Sequence, residues 1–490
     1  MMVDGARSPG LRNVSPLFGL RRRSVGGVEV TAQSVAVTAP SAAMASMPML
    51  VAASAGNGTM YSYLIATVVI LLVGYCISQF ARRMAAAGSL YSFTAKGLGP
   101  TAAIVSGVGL ALGYALLSMS TLLLAAFYFL RFAPRAALVV PTAVVVVISL
   151  GGVAAFCMIR GISVSSRVVL VVESVSIAGI LVVLAVLVVR HGVHLDTRLL
   201  RASGSSAHGI GLGVALAITS FVGFESSAAL GAEARRPHQS VPRAVMRTAL
   251  GAGVLYLVSA YTQLDGFSGS AGGLAARTTP LTDLADLAGT PWLSLVLDLG
   301  IAASGFACAT GSATALTRLL FSMAREHVTA PCLARTHARF GTPHIATRFS
   351  MAAIVSVPVI LLLTGTSPWD GFLYLVTIST FGYMVAYILV CVALPRFLYR
   401  IGELTLVPLL AGPLAGTVLC YVFAAYVYPL SAATTYTLFR IFVALVATAV
   451  ICHLWVASRA PDQHRRIGVY DETTADDLFD PAPANRKRAS

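Results

Sequence analysis

The chain has 490 residues, 57% of them hydrophobic and only 11% charged, with a formal net charge of +15. So little polar surface excludes a water-soluble globular protein. The positive excess is spread over many short connections rather than gathered into one patch, so no nucleic-acid partner is expected.

Residues 1–27 are Arg-rich and acid-poor and read as a loose cytoplasmic N-terminal tail. Apolar runs of about 20 residues, enough to cross a bilayer core, then recur along the chain. Twelve spans are expected, at about 28–54, 59–80, 101–130, 136–158, 168–189 and 209–232, then 244–265, 291–321, 349–365, 370–394, 404–427 and 437–457. They divide into a first half over 28–200, a second half over 201–400, two further spans within 401–457, and a cytoplasmic C-terminal tail over 458–490. The fold class is therefore all-α and membrane-embedded, with no soluble domain.

Two spans are interrupted. The first reads VTAQSVAVTAPSAAMASMPMLVAASAGNG, with Pro40 in its middle. Proline removes a backbone donor and disfavours helix in the residue before it. The sixth runs into TSFVGFESSAALGAEARRPHQSVPR, which places Gly223 and Glu225 within an apolar segment. A carboxylate inside the membrane is costly, which makes Glu225 a functional candidate by default. An opened backbone is tolerated there only where protein or a water-filled cavity receives its polar groups. Interruptions at matching places in two halves point to a midplane site built on inverted repeats. Five spans per half give the halves opposite orientations. The repeat rests on position, because the halves share no evident sequence.

The basic residues fix topology. With the N-terminus inside, inner connections and tails hold 27 of the 34 Lys+Arg, and the outer ones hold seven, including Arg131, Arg190 and Arg277. That asymmetry is the positive-inside pattern and puts both termini in the cytoplasm. The seven cysteines are scattered without a CxxC pair, and the histidines show no metal-ligand spacing. No disulfide framework, metal or cofactor is expected.

Other acids have separate readings. Glu173, within SRVVLVVESVSIAG, has no partner on its own helix, so a bundle-facing polar contact or a proton relay is expected. Asp298 lies early in span 8, near an outer vestibule. Glu233, beside Arg235 and Arg236, reads as a cytoplasmic ion pair or gate element; an exposed pair of this kind contributes about 0–1 kcal/mol.

These residues carry a family likeness over roughly residues 30 to 400. The chain resembles the amino acid–polyamine–organocation permeases, whose fold is a five-plus-five inverted repeat of the leucine-transporter type. SFVGFESSAALGAEARRPHQSVPRAV is similar to that family's F-x-G-F-E, followed by an acid, a basic pair and two prolines. AAGSLYSFTAKGLGP (86–100) resembles its Gly-, Tyr-containing cytoplasmic turn. SATALTRLLFSMAREH (312–327) and GTPHIATRF (341–349) resemble the end of span 8 and the start of span 9. There are departures. The family's Gly-small-Gly break in span 1 falls at Ser41-Ala42-Ala43, directly after Pro40. Its acidic-Gly after span 8 is replaced by Glu326-His327, and the lysine that some proton-coupled members carry in span 5 falls at Ser176.

The resemblance implies a secondary transporter (a permease, not an enzyme) that moves amino acids across the plasma membrane by alternating access. It is expected to be multi-pass in the lipid bilayer, with protons ahead of sodium as the coupling ion. A carrier of polyamine, ethanolamine or another organic amine stays open, as do an exchanger and a transporter-derived sensor. The sequence carries no signal for an oligomeric state. A free amino acid is a zwitterion, and a broken helix offers amides for its carboxylate and carbonyls for its ammonium. The expected donors are the amides of Ser41, Ala42, Ala43 and Met44, with those from Gly223 to Glu225 sharing the load. The expected acceptors are carbonyls from Ser220 to Val222. By register with the family, Thr219, Val222, Ser118 and Ala313 select the side chain and favour a modest neutral solute. Ser118 and Ala313 read equally well as small residues that let helices touch. Glu225 and Glu173 are the candidates for proton coupling or for a structural acid.

Overall fold

The computed structural model describes residues 19–132, 139–191, 205–287, 289–428, 433–459 and 467–468. Among these residues the chain is helical throughout, with one isolated parallel bridge between Val25 and Ala234. The helices are α1 (Gly27–Thr38), α2 (Pro40–Ala55), α3 (Thr59–Ala81), α4 (Leu90–Leu98) and α5 (Pro100–Leu130). Next come α6 (Val139–Arg160), α7 (Ile162–His191), α8 (Ala207–Thr219), α9 (Pro237–Gly266) and α10 (Pro280–Leu287). The chain continues with α11 (Pro291–Arg325), α12 (His344–Leu363), α13 (Pro368–Arg400), α14 (Leu406–Val427) and α15 (Ala433–Arg459). Nine described helical segments are long and apolar enough to cross a membrane, and two shorter apolar helices accompany them. This is a multi-pass membrane protein.

Sequence chemistry explains where the helices start. α2, α5, α9, α10, α11 and α13 each begin on a proline. At the first helical position the missing N–H is harmless and the fixed φ is already helical. The apolar spans differ in depth. α5 and α13 pack against each other at the centre of the bundle, and a side chain on Gly382 would collide with the carbonyl oxygen of Gly109. Small residues let the two backbones approach where lipid offers no hydrophobic drive. α6 and α14 present Val145, Ile148, Phe156, Leu410 and Leu414 outward, as helices facing hydrocarbon do.

The first interruption sits one step earlier than expected. α1 ends at Thr38, Ala39 adopts a left-handed conformation (φ 44°, ψ 63°), and Pro40 opens α2. The break is therefore at Ala39, not at Ser41–Ala43. The Pro40 ring excludes helix from the residue before it and permits helix after it.

The second interruption removes most of the expected span at 209–232. α8 ends at Thr219, the chain passes through turns with Gly223 at φ 90°, and a 3-10 segment covers Ser226–Leu230. A side chain at Gly223 would overlap Val37 of α1. Glycine is thus required twice, by its dihedral and by the close approach of the first break.

Three connections hold more structure than the sequence suggested. The turn over 86–100 contains α4, the 266–290 connection contains α10, and 326–347 contains a 3-10 turn at Pro331–Ala334. Residues 19–26 are docked rather than loose: Leu20 and Val25 are buried, and Val25 exchanges backbone hydrogen bonds with Glu233 (3.0 Å) and Arg235 (2.9 Å). The rest of the expected N-terminal tail (1–18), most of the C-terminal tail (460–466 and 469–490) and the boundary between the expected halves lie outside the described residues.

Gly223→Ala combines a disfavoured φ with an overlap against Val37 and is expected to cost about 2–4 kcal/mol. Gly251→Ala, on α9 with open space around it, is expected to gain about 0.4–1 kcal/mol. Thermal unfolding of the two variants in one detergent checks both signs.

Candidate functional site

The two breaks face each other across a small cavity with about 340 Å³ of empty space. Its floor is backbone and small side chains: Thr38, Ala39, Ala42 and Ala43 from the first break, and Thr219, Ser220 and Val222 from the second. Leu117, Thr121 and Leu124 of α5 and Phe372 and Val376 of α13 close it, with Cys308 of α11 on the remaining side. No lining residue is charged, and the polar ones offer hydroxyl or thiol groups only.

The backbone freed at the first break is already in use. The Ser41 N–H donates to Glu173 Oε1 of α7 at 2.8 Å, and the Ala42 N–H donates to Ser304 Oγ of α11 at 3.3 Å. The Ala43 N–H returns to the Ala39 carbonyl at 3.0 Å. The expectation that the amides from Ser41 to Met44 stand open for a ligand is thereby corrected. Hydrocarbon leaves no donor without a partner, so neighbouring helices supply one. On the α1 side of the break, the Cys308 thiol donates to the Val37 carbonyl at 2.9 Å; within α2, Gln263 donates at 3.0 Å to the Met44 carbonyl, whose helical donor is missing because Pro48 has no N–H.

The second break is held by phenols. The Tyr256 hydroxyl of α9 donates to the Ser220 carbonyl at 2.7 Å. Glu225, fully buried, accepts from Tyr114 of α5 at 3.1 Å on Oε1 and from Tyr387 of α13 at 2.5 Å on Oε2. Tyr387 in turn receives a long bond, 3.4 Å, from the Gly223 amide. Both oxygens of this carboxylate are satisfied as acceptors, so it ties the turn to two neighbouring helices. Direct stitches join the breaks themselves. The Ser226 hydroxyl donates to the Gln33 carbonyl at 3.2 Å, and the Ser227 amide donates to Ser34 Oγ at 3.2 Å.

The structure gathers some of the expected residues and scatters others. Ala42, Ala43, Thr219, Ser220 and Val222 line the cavity; Ser41, Met44, Gly223, Ser118 and Ala313 do not. Ser118 turns away, donating to the Ala309 carbonyl at 2.7 Å and so tying α5 to α11. Sequence reasoning missed Tyr114, Tyr256 and Tyr387. Their signal was available in kind, since a tyrosine within an apolar span carries a hydroxyl that must find a partner, but nothing local names that partner.

Asp298 and Glu233 lie on opposite sides of the cavity along the chain's helices. Asp298 accepts from Arg131 at 2.7 Å and Thr282 at 2.8 Å. Glu233 is paired with Arg318 of α11 at 2.8 Å, both side chains being almost fully buried. Arg235 and Arg236 are exposed. The expected exposed pair is therefore a buried one, with a different partner. Near it Tyr91 donates to Glu326, and Arg21 to the Arg339 carbonyl.

Comparison with known proteins follows the same lines. A family model described as "Amino acid permease" matches residues 30–403. The chain is 26% identical over 359 residues to the branched-chain amino acid permease BcaP of Bacillus subtilis (strain 168), covering 70% of this chain and 74% of that one. It is 27% identical over 336 residues to an uncharacterized transporter of Mycobacterium tuberculosis, covering 68% and 71%. It is 26% identical over 205 residues to the low-affinity putrescine importer PlaP of Escherichia coli (strain K12), covering 41% and 44%.

Glu233→Gln leaves the Arg318 guanidinium buried without its counter-ion, and a loss of about 3–5 kcal/mol is expected. Arg235→Gln, at an exposed position, is expected to change stability by less than about 0.5 kcal/mol. Urea or thermal unfolding in detergent separates the two.

Proposed function

The chain belongs to the amino acid permease family, and from that premise we propose that it carries a neutral amino acid with an apolar side chain across the plasma membrane, by alternating access and with protons as the coupling ion. The observation that carries this reading is the lining of the cavity: two opened helix ends with uncharged, mostly aliphatic walls. The α-carboxylate takes amides of the broken helices, the ammonium takes carbonyls around Ser220, and the side chain rests against Leu117, Leu124, Phe372 and Val376. A similar relative's description as a branched-chain amino acid permease agrees with that wall chemistry.

A diamine such as putrescine, the solute named for another relative, asks for a second anion beside the cavity. No acid lines it, and both oxygens of Glu225 are engaged by phenols. The scaffold we propose is twelve spans, ten of them in a five-plus-five inverted repeat, with α14 and α15 added. In it, α1–α2 and α8 take corresponding broken positions, and both termini lie in the cytoplasm by the distribution of basic residues. The docked segment at 19–26 and the Glu233–Arg318 pair then form the inner closure.

Uptake into proteoliposomes under an inward proton gradient is the test. Leucine, isoleucine and valine are expected to compete with one another, while arginine and putrescine do not; competition by putrescine alone replaces this reading with the amine carrier. Flux that needs an internal amino acid and no gradient identifies an exchanger, and binding without flux a sensor. Glu225→Gln weakens the tie to Tyr114 and Tyr387. It is expected to slow uptake by about tenfold, the equivalent of one hydrogen bond to a charged group, while its pH profile keeps the wild-type shape.

A further inference from the structure

Glu173 of α7 has the opposite hydrogen-bond balance to Glu225. Its side chain is fully buried, and Oε1 accepts the Ser41 amide at 2.8 Å. Its second oxygen, Oε2, accepts no hydrogen bond from any described residue, and the buried Ser41 hydroxyl beside it is equally unmatched. The Ser304 hydroxyl is the other polar group at the carboxyl. Because Pro40 has no N–H, Ser41 is the first amide donor of α2, a helix of 16 residues whose positive end favours an anion. An internal carboxylate thus occupies the position that helix geometry would offer to a substrate carboxylate.

We infer that Glu173 is a resident counter-carboxylate that surrenders the Ser41 amide to the substrate only by taking up a proton, so that one proton is bound for each amino acid bound. This rests on the reading of the cavity as an amino acid site. Two carboxylates in one low-dielectric pocket cannot both stay ionised. The incoming carboxylate takes the amide, and the proton settles on Glu173, whose carboxyl has the Ser304 and Ser41 hydroxyls beside it as acceptors. One carboxylate replaces another at the Ser41 amide, and because the amino acid enters as a neutral zwitterion, each binding event adds the proton's single positive charge to the site. The titratable groups that feel Glu173 from the helices packed against it are Tyr256 on α9 and Cys308 on α11, and neither ordinarily carries charge at neutral pH. Asp298, on α11, is held by Arg131. Both oxygens of Glu225, by contrast, are engaged by Tyr114 and Tyr387.

The test is binding of leucine to the purified full-length protein by calorimetry, repeated in two buffers of different ionisation enthalpy and at several pH values. The wild type is expected to take up one proton per leucine, with Kd weakening about tenfold per pH unit above the titration of Glu173. Glu173→Gln is expected to take up none and to bind with a flat pH profile. Glu225→Gln is expected to keep the wild-type proton count. An uptake of zero in the wild type overturns the inference without any variant, as does a tenfold slope retained in Glu173→Gln. If no amino acid binds the wild type at any pH, the amino acid reading itself falls, and this inference with it; leucine binding with no proton leaves that reading standing and removes this one alone.

Discussion

A backbone opened inside hydrocarbon must find all its hydrogen-bond partners within the protein. Everything around the two breaks follows from that constraint. At Ala39 the freed amides go to Glu173 and Ser304, and the Val37 carbonyl to Cys308. Between Ser220 and Ser227 they go to Tyr256, Tyr387 and Ser34. The partners come from several helices: α1, α7, α9, α11 and α13. The breaks therefore serve as the junctions at which α5, α7, α9, α11 and α13 are held in register.

The same constraint shapes the cavity. Because most polar groups of its walls are taken by internal partners, the Ser220 hydroxyl excepted, the surface left for a solute is mostly aliphatic and uncharged. A solute entering such a site competes with internal partners instead of filling vacant ones, so part of its binding free energy goes into displacing them. In the proposed carrier, that exchange links occupancy to helix position. The Glu233–Arg318 pair adds a second junction of high cost, since neither charge can be left alone once buried.

Much of the scaffold was legible in the chain. The apolar runs gave the helices and Pro40 and Gly223 gave the interruptions, both of them properties that act within a few residues; six of the described helices also begin on a proline. Proline also explains the offset at the first break: its ring acts backward, on Ala39, while the family resemblance placed the opening forward of Pro40, at Ser41 to Ala43. The small amphipathic α4 and α10 escaped because they are too short and too polar to register as spans.

The partners of the buried acids were not legible. Glu173 was identified as an intramembrane acid without a partner on its own helix, yet its partner is 132 positions away, on the backbone of another helix. Glu233 stands beside two arginines in the chain and chooses a third, 85 positions on. Ser118 read equally well as facing a solute or as a small residue at a helix contact, and it serves a carbonyl of α11. Composition and local breakers determine that this protein spans a membrane and where its helices must open, because bilayer thickness and proline sterics act on the chain segment by segment. Which groups meet the opened backbone was decided only when the helices packed, because a hydrogen bond is chosen by distance in space and the sequence records only distance along the chain.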